Sequence, residues 1–387
     1  MTKLEQLIAD LCPDGVEYKK LGDIAEIRSG WGFPNNLQGR SSGEYPFYKV
    51  SDMNSPGNER SMSHAINYVT EDTARSLGCK PAPPGTVIFP KIGVAISTNK
   101  KRILSVVACY DNNVVGLIPS SHIHPRYLLY LFYSYDLTSF SDFSGALPSI
   151  RKSTLEKLPI PIPPLPVQEE IVRILDKFTA LEAELEAELE ARKKQYEYYR
   201  NELLSFGDDV GRKGLGEIAN MKAGTFIQAH EIALTSGNES IYPCYGGNGF
   251  RGFVKNHSHN GKYLLIGRQG ALCGNVRRVD GEFYATEHAV VLSTKPIVNT
   301  DWLFHMLTHA NLNQYATKSA QPGLSVATIS QLPIPLPSLS EQERIVAILD
   351  RFDALVNDIS SGLPAEIAAR RKQYECYRDR LLTFEHM

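Results

Sequence analysis

Hydrophobic residues recur at alternating steps of four and three along residues 171–206. Positions 171, 175, 178, 182, 185, 189, 192, 196, 199, 203 and 206 hold Ile, Leu, Phe or Tyr, except at Glu182 and Arg192. This heptad spacing predicts one long helix that carries a coiled-coil seam. At 1.5 Å of rise per residue, the seam is about 53 Å long.

The same segment occurs a second time, 174 residues later. LPIPIPPLPVQEEIVRILDKF at residues 158–178 corresponds to LPIPLPSLSEQERIVAILDRF at residues 332–352. A following block, RKKQYEYYRNELLSF from Arg192, corresponds to RRKQYECYRDRLLTF from Arg370, and here the offset has grown to 178. Gly362 and Pro364 lie at this four-residue stutter and predict a kink or break in the second helix. The second seam is expected at Ile345, Leu349, Phe352, Val356, Ile359 and Leu363, and it resumes at Ile367.

Each copy opens with alternating prolines, at residues 159–166 and 333–337. Prolines at this spacing exclude helix and favour extended chain. Such a run fits either a ligand for an SH3-type domain or a rigid joint between a domain and its helix. Its fixed place before each helix favours the joint.

The two helices of one chain are expected to pair with each other, antiparallel and centred near residues 187 and 365. A coiled coil between two copies of the chain is the alternative. In the paired arrangement, the acidic repeat EAELEAEL at residues 182–189 faces the basic residues 370–372. The seam residues expected to join the helices or to dock a partner are Leu175, Phe178, Leu185, Leu189, Tyr196, Tyr199, Leu349, Phe352, Tyr374 and Tyr377.

The segments between these helices form a second pair of related units. LGDIAEIRSG opens the first at Leu21, and LGEIANMKAG opens the second at Leu215. Each continues with short β-type runs, among them VAIST at residues 94–98, and then a single helix, from Arg126 or Asp301. These features predict an α+β fold in which two homologous, mostly β domains are separated by an antiparallel coiled coil. The predicted segments are an N-terminal helix and turn (1–20), domain 1 (21–157), a central helical region (158–206), domain 2 (207–331) and a C-terminal helical region (332–387).

Composition narrows the class of protein. The 387 residues carry a formal net charge of −2, but the two variable segments are slightly basic and the helical segments are acidic. This distribution fits local contacts with anions. The six cysteines form no C-x-x-C pair, and neither a signal peptide nor an apolar run of 18 residues is present. We therefore expect a cytoplasmic protein with no structural zinc and no membrane partner.

The sequences that resemble catalytic motifs lack the context that chemistry needs. GNGFRG at residues 247–252 satisfies G-x-G-x-x-G, but strand-like residues follow where a dinucleotide site needs a helix, which favours a hairpin. The H-x-H pairs at residues 122–124 and 257–259 have no further metal ligands nearby. A phosphate-binding P-loop and a nucleophile paired with a base are also missing from the sequence. A chain without catalytic or metal-binding residues of its own is expected.

Basic and amide side chains in the two domains instead favour recognition of nucleic acid. Lys100-Lys101-Arg102 and Arg277-Arg278 occupy comparable places after glycine-bearing loops, and such residues contact phosphates or base edges. The residues expected to bind DNA are Lys91, Lys100, Lys101, Arg102, Asn112, Asn113, Arg151 and Lys152 in domain 1, and Asn248, Arg251, Arg268, Gln269, Arg277 and Arg278 in domain 2.

The doubled proline exits, doubled helices and paired openings resemble the specificity subunit of type I restriction–modification systems, over essentially the full chain. The resemblance implies two target-recognition domains, each of which reads one half of a bipartite, asymmetric site in double-stranded DNA. It also implies that the helices set the spacer between the halves and dock two methyltransferase subunits. EAELEAEL is similar to the family's adjustable spacer element, whereas Gly362-Leu363-Pro364 makes the second helix uneven.

By the same resemblance, the cofactors belong to partners. Methyltransferase subunits bind S-adenosylmethionine, restriction subunits bind ATP and Mg²⁺, and this chain binds no cofactor. Two other functions fit the sequence: a subunit that serves a fused restriction–methylation enzyme, and a coiled-coil scaffold whose two β-rich heads bind protein or sugar. Salt-sensitive binding to duplex DNA distinguishes a DNA-recognition subunit from the scaffold. Phosphate contacts release counterions, so DNA binding weakens as the salt concentration rises.

Overall fold

The structure, a computed structural model, describes residues 2–237, 239–270, 272–318, 322–358 and 360–384. The chain divides into two compact units. The first comprises residues 1–184 together with 368–387, and the second comprises residues 185–367. Each unit therefore contains one variable domain and part of the helical regions.

Helices and strands follow the order that the repeated sequence predicts. From the N-terminus to the first long helix they are α1 (Lys3–Leu11), β1 (Tyr18–Lys20), α2 (Leu21–Ile24), β2 (Ala25–Ser29), β3 (Tyr45–Tyr48), β4 (Ser61–Met62), β5 (Tyr68–Val69), α3 (Glu71–Ser76), β6 (Val87–Pro90), β7 (Arg102–Leu104), β8 (Cys109–Tyr110), β9 (Val114–Pro119), α4 (Pro125–Ser134), β10 (Ser141–Asp142), β11 (Ser149–Ile150), α5 (Lys152–Glu156), β12 (Pro159–Pro161) and α6 (Leu165–Leu204). The remainder are β13 (Arg212–Gly214), α7 (Leu215–Ile218), β14 (Ala219–Ala223), β15 (Tyr242–Gly246), β16 (Gly249–Val254), β17 (His259–Asn260), β18 (Tyr263–Gly267), β19 (Val276–Val279), β20 (Glu282–Ala285), β21 (Ala289–Thr294), α8 (Thr300–His309), α9 (Val326–Ser330), β22 (Pro333–Pro335), α10 (Leu339–Asn357) and α11 (Leu363–Leu382).

Both domains are built on the same antiparallel sheet. Domain 1 has the strand order β2-β9-β6-β7, extended by β4, and domain 2 has the order β14-β21-β18-β19. Ala25 opposes Pro119 in the first sheet, and Ala219 opposes Thr294 in the second. Each domain adds a second sheet, β5-β3-β8 with three strands or β16-β15-β20-β17 with four. The shared order confirms that the two domains are homologous.

The central strands are hydrophobic on both sides because both of their faces are covered. In β6, Val87 and Phe89 join the core under α4, whereas Ile88 joins a second cluster with Tyr48 and Met53. The alternation follows from the two-residue period of a strand. β18 alternates in the same way. Leu264 and Ile266 pack under α8, and Leu265 packs on the other face against Phe283.

A buried glutamine in each repeat joins the domain helix to the coiled-coil helix. Gln168 Oε1 accepts a hydrogen bond at 2.8 Å from the backbone N–H of His124, which caps α4. Its Nε2 donates to the carbonyl oxygens of His122 and Pro163 at 3.1 and 2.7 Å. Gln168 is fully buried, so its own amide atoms depend on these bonds, because water does not reach them.

Gln342 makes the corresponding bonds in the second unit. Its Oε1 accepts from the backbone N–H of Asn299, the residue that caps α8, at 2.7 Å. Its Nε2 donates to the carbonyl oxygens of Ile297 and Pro337 at 3.2 and 2.9 Å. Both glutamines lie in the first turns of their helices, where the sequence alone indicated only helix initiation.

The proline exits are extended at Pro159–Pro161 and Pro333–Pro335, as predicted, and they pair there with other strands, whereas the expected extended chain through Pro166 is wrong because α6 begins at Leu165. β12 is antiparallel to β1, and β22 is antiparallel to β13. Pro159 and Pro161 alternate with Ile160, so only alternate residues lack an N–H, a pattern that edge strands tolerate. Ile160 is fully buried. This packing favours the rigid joint over an exposed ligand for an SH3-type domain.

The two helical regions pair within the chain and run antiparallel in each unit. In the first unit, Phe178 stacks on Tyr377 with ring centroids 5.2 Å apart, and Glu182 accepts a hydrogen bond from Arg371 at 2.6 Å. In the second, Tyr199 stacks on Phe352 at 5.4 Å. Phe178 and Phe352 are equivalent in the sequence repeat, and so are their tyrosine partners. Pairing within one chain is thus confirmed over pairing between copies.

The second helical region is broken where the stutter predicts. α10 ends at Asn357 and α11 begins at Leu363, whereas α6 is continuous through EAELEAEL. The backbone of Gly362 passes so close to the carbonyl oxygen of Ala354 that an added Cβ would lie 2.5 Å from it. The seam position expected at Ile359 lies outside the described residues.

The strand expected at residues 94–98 is wrong, because VAIST forms a 3-10 helix. Gly93 enters it with φ of +77°, and Asn99 leaves it in the left-handed region with φ of +54°. A left-handed residue at each end turns the chain too sharply for a strand, despite the β-branched composition.

We predict that Gln342→Leu destabilises the second unit by about 3 kcal/mol, because the capping N–H and two partly buried carbonyl oxygens lose their partner. Scanning calorimetry measures the effect as a lower thermal midpoint. Gln331→Ala, at an exposed position in the same unit, is the matched control. Identical midpoints for Gln342→Leu and the unmodified chain would contradict this role.

Candidate nucleic-acid interface

Three loops at one end of the main sheet are held together by the same backbone hydrogen bonds in both domains. We call them the tip framework: residues 90–93, 111–113 and 148–150 in domain 1, and residues 267–270, 286–288 and 322–324 in domain 2. In domain 1, the N–H of Lys91 donates to the Asn113 carbonyl at 2.8 Å, and that of Ile150 donates to the Lys91 carbonyl at 2.9 Å. The N–H of Gly93 donates to the Pro148 carbonyl at 2.8 Å.

Domain 2 repeats this pattern bond for bond. The N–H of Arg268 donates to the His288 carbonyl at 3.0 Å, and that of Leu324 donates to the Arg268 carbonyl at 2.9 Å. The N–H of Gly270 donates to the Pro322 carbonyl at 3.1 Å. The framework therefore makes Lys91 equivalent to Arg268 and Asn113 equivalent to His288, while the side chains differ.

Glycines make this close approach of three loops possible. Gly93 and Gly270 have φ of +77° and +83°, which side-chain-bearing residues rarely adopt. Gly224 lies against the backbone of β20, where an added Cβ would come within 2.4 Å of the Thr286 carbonyl oxygen. Gly30 has the same place in domain 1, against the Asp111 carbonyl oxygen.

The tip of domain 1 presents one amine and two amides. Lys91 Nζ donates to Ser29 Oγ at 2.9 Å, and burial lowers the pKa of Lys91. Asp111 is buried and accepts from the backbone N–H of Asn113 at 3.0 Å and from its Nδ2 at 3.4 Å. Burial raises the pKa of Asp111. Asn112 is exposed, so the loop presents amide groups on a fixed base.

The tip of domain 2 presents a chain of polar side chains. Gln269 Oε1 lies 2.8 Å from His288 Nδ1, and Glu287 Oε1 lies 3.0 Å from His288 Nε2. Arg268 donates from a terminal nitrogen to the Glu287 carbonyl oxygen at 3.3 Å. The expected residues Arg268 and Gln269 are thus brought together, beside two residues that the sequence did not indicate.

Unpaired polar atoms are concentrated at this tip. Among the buried side-chain atoms without a hydrogen-bond partner in the described ranges are Arg268 Nε, Thr286 Oγ1 and Glu287 Oε2. The others in those ranges are Arg102 Nε, Arg200 Nε and Trp302 Nε1. Such atoms are rare in folded proteins, and a bound group can supply their partner. Three of these six atoms thus lie at the tip of domain 2, which makes the tip a candidate binding site.

A second group of expected residues lies around the β15–β16 hairpin, which confirms that GNGFRG is not a dinucleotide loop. Asn248 and Arg251 are exposed on the hairpin, and Arg277 lies beside its turn. The Arg277 guanidinium is 6.0 Å from the centroid of the Tyr245 ring, a cation–π distance. A cleft of about 190 Å³ opens between the hairpin and β19.

Lys101 and Arg102 are buried inside domain 1, which corrects the expectation that they contact phosphates. The Lys101 ammonium donates to Asn99 Oδ1 and to the Tyr135 carbonyl, both at 2.6 Å, and burial lowers its pKa to about 8. The Arg102 guanidinium donates to the carbonyls of Lys101 and Met53 at 2.8 and 3.1 Å. The left-handed turn at Asn99 directs the chain inward at this point.

Arg278 also departs from the expectation that it contacts DNA, because its side chain connects domain 2 to helix α10. Its guanidinium donates to Asp350 of α10 at 2.7 Å and to Asp301 of α8 at 3.4 Å, and it lies 4.3 Å from the Phe304 ring centroid. His305 bonds to the same Asp350 at 2.8 Å. This network joins domain 2 to the helical region.

Asp176, the equivalent of Asp350 in the repeat, does the same in the first unit. It pairs with Arg126 at 2.8 Å and accepts from the Tyr130 hydroxyl at 2.5 Å. The remaining expected DNA-binding residues lie in surface contacts: Lys100 with Asn54, Arg151 with Asp142, and Lys152 with Glu156.

The histidines of the H-x-H pair at residues 257–259 contact aromatic rings. His257 packs against Tyr242, and His259 stacks on Phe283. Within the described ranges, no group of three or more His, Cys, Asp or Glu side chains is placed to hold a metal ion. Helices with both the length and the apolar character of a membrane span are also missing from those ranges.

Comparison with known proteins identifies the family. The family model of the type I restriction modification DNA specificity domain matches residues 13–191 and again residues 208–369. The type I restriction enzyme EcoprrI specificity subunit of Escherichia coli is 42% identical over 370 residues, which cover 89% of each chain. The EcoR124I/EcoR124II specificity subunit of the same organism is 34% identical over 70% of this chain and 75% of that one.

Solved structures share the fold at low sequence identity. The type I restriction–modification S subunit of M. genitalium superimposes with a TM-score of 0.59 at 16% identity, over 96% of this chain and 97% of that one. A chain from a study of complex assembly in the type I restriction–modification system gives 0.60 at 16% identity, over 96% and 98%. From the two matches to the family model and the identity to curated relatives, the chain belongs to the family of type I restriction–modification specificity subunits.

Proposed function

We propose that this chain is the DNA-recognition subunit of a type I restriction–modification complex and that each domain reads one half of a bipartite, asymmetric site. The observation that carries the proposal is the tip framework. The two domains hold their three loops together with the same backbone hydrogen bonds. The tip of domain 1 presents Lys91, Asn112 and Asn113. The tip of domain 2 presents Arg268, Gln269 and His288. Identical scaffolds with different polar tips are suited to reading two different sequences.

The remaining residues divide by their position. Asn248, Arg251 and Arg277 on the hairpin of domain 2 are proposed to extend the contact along the DNA, while Lys100, Arg151 and Lys152 contact phosphates in domain 1. Phosphate contacts position the protein, and base contacts specify the sequence. The bases themselves depend on loop conformation and DNA deformation.

The helical regions are proposed to set the spacer and to dock the methyltransferase subunits. The support is that α6 runs uninterrupted through EAELEAEL and that half-exposed aromatic rings, Tyr199 and Tyr377, remain on the paired helices. The domain boundaries at residues 158 and 332 are part of this proposal.

Partner subunits would bind S-adenosylmethionine, ATP and Mg²⁺ and carry out adenine methylation and cleavage, in the cytoplasm where the DNA lies. This chain would contribute recognition alone.

We predict a split methyladenine motif in a host that produces this chain with its methyltransferase subunit. The motif disappears when this chain is deleted, because the methyltransferase then lacks a DNA reader. Single-molecule methylome sequencing measures both outcomes. An assembled complex that yields no new motif and does not bind duplex DNA would contradict the proposal and favour the scaffold.

We also predict that inserting one further EAEL unit after Leu189 lengthens the DNA spacer by one to two base pairs. Four residues extend a helix by about 6 Å, and one base pair occupies about 3.4 Å along the duplex. The methylated motif of the insertion variant gives the spacer directly. The matched control replaces one EAEL unit by AEEL, which keeps the length and composition. An unchanged spacer in the insertion variant would contradict the proposed role of the helices in setting the spacer.

A further inference from the structure

The amide of Gln269 is oriented by a neighbour rather than by solvent. Its backbone is fixed on both sides: Arg268 and Gly270 each donate to a neighbouring loop, and residue 269 pairs with Gly323 in a β-bridge. Its side chain is exposed, but the amide oxygen lies 2.8 Å from His288 Nδ1. An amide oxygen only accepts, so the ring donates in this bond.

His288 is itself held from the other side. Glu287 Oε1 lies 3.0 Å from the second ring nitrogen, so an oxygen acceptor faces each nitrogen and both nitrogens donate, as in the imidazolium form of the ring. The Glu287 backbone is tied to Arg268 through its carbonyl oxygen. The ring orientation is therefore fixed by two partners. With the oxygen of Gln269 engaged by His288, the two N–H donors of its amide remain for a ligand.

This arrangement changes what a glutamine recognises. Gln ordinarily pairs with adenine by donating to N7 and accepting from N6–H, which requires its oxygen to face the base. A group that offers only donors instead matches guanine, whose O6 and N7 are both acceptors in the major groove. We infer that His288 is a positioning residue that makes Gln269 a reader of guanine rather than adenine in the half-site of domain 2.

Domain 1 supports this inference by contrast. Asn113 occupies the position of His288, and its Nδ2 donates to Asp111, so this amide keeps its oxygen available. Ile92 occupies the position of Gln269 and has no polar group. The two tips thus present different hydrogen-bonding patterns on one framework. The inference rests on the proposed function, because it assigns a base to a site that the proposal places on DNA.

The test determines the methylated motif for the unmodified chain, Gln269→Ala and His288→Ala, each produced with the methyltransferase subunit. Gln269→Ala is expected to relax one position of one half-site, and that position is guanine in the native motif. His288→Ala is expected to admit adenine there, raising methylation of adenine-containing sites about tenfold relative to guanine-containing sites. Gln331→Ala, exposed and outside the tip framework, is the control and leaves the motif unchanged.

A rescue variant separates positioning from folding. His288→Ala combined with Gln269→Lys restores a donor-only side chain without the histidine, so the preference for guanine returns. A merely structural role for His288 predicts no such return. In parallel, duplexes with 7-deazaguanine at the relaxed position, which lack N7, are expected to bind the native complex about tenfold more weakly and the Gln269→Ala complex without loss.

The outcomes distinguish this inference from the proposed function. A native adenine at the position relaxed by Gln269→Ala, or no relaxed position, overturns the inference while a split motif still supports DNA recognition. A guanine preference that His288→Ala leaves intact overturns the positioning role. An assembled complex without any motif overturns both.

Discussion

The position of each domain's variable surface depends on how the domain is attached to the coiled-coil helix of its unit. One buried glutamine in each repeat accepts a hydrogen bond from the residue that caps the domain helix and donates to two further backbone carbonyl oxygens. One aspartate in each repeat pairs with an arginine of the domain and also bonds a side chain of the domain helix, the Tyr130 hydroxyl in the first unit and the His305 ring in the second. Gln168 with Asp176 does this in the first unit, and Gln342 with Asp350 in the second. The glutamine bonds reach backbone groups and the aspartate bonds reach side chains outside the tip loops, so neither fixes which side chains the tips carry. A domain can therefore change its surface while its attachment stays the same.

The tip framework applies the same separation at the other end of the sheet. The six hydrogen bonds that define it are between backbone groups, and glycines allow the loops to approach, so side chains at the tip are free to differ. Lys91 and Arg268 occupy one position, and Asn113 and His288 another. Under the proposed function, recognition depends on how neighbouring side chains orient each other. Asp111 holds an amide nitrogen in one domain, and His288 faces an amide oxygen in the other.

Repetition and periodicity predicted the architecture, because both are written in the order of residues. The 174-residue offset, the heptad seam and the Gly362–Pro364 stutter anticipated the paired helices and the break between α10 and α11. The burial of Lys101 could not be predicted, since a basic triplet next to Asn normally lies in solvent. A left-handed residue at Asn99, which only the backbone reveals, turns it inward. Glu287 and His288 were missed for a related reason: their equivalence to Asn112 and Asn113 depends on spatial pairing between loops.

The central claim is that each domain reads its half-site independently on a shared scaffold. The most direct test replaces residues 21–157 by a second copy of residues 215–331, joined at the equivalent positions before each proline exit, and determines the methylated motif. The account predicts a motif in which both ends carry the half-sequence of domain 2. A motif that retains the native half of domain 1, or an assembled chimera that methylates an unrelated sequence, would contradict it.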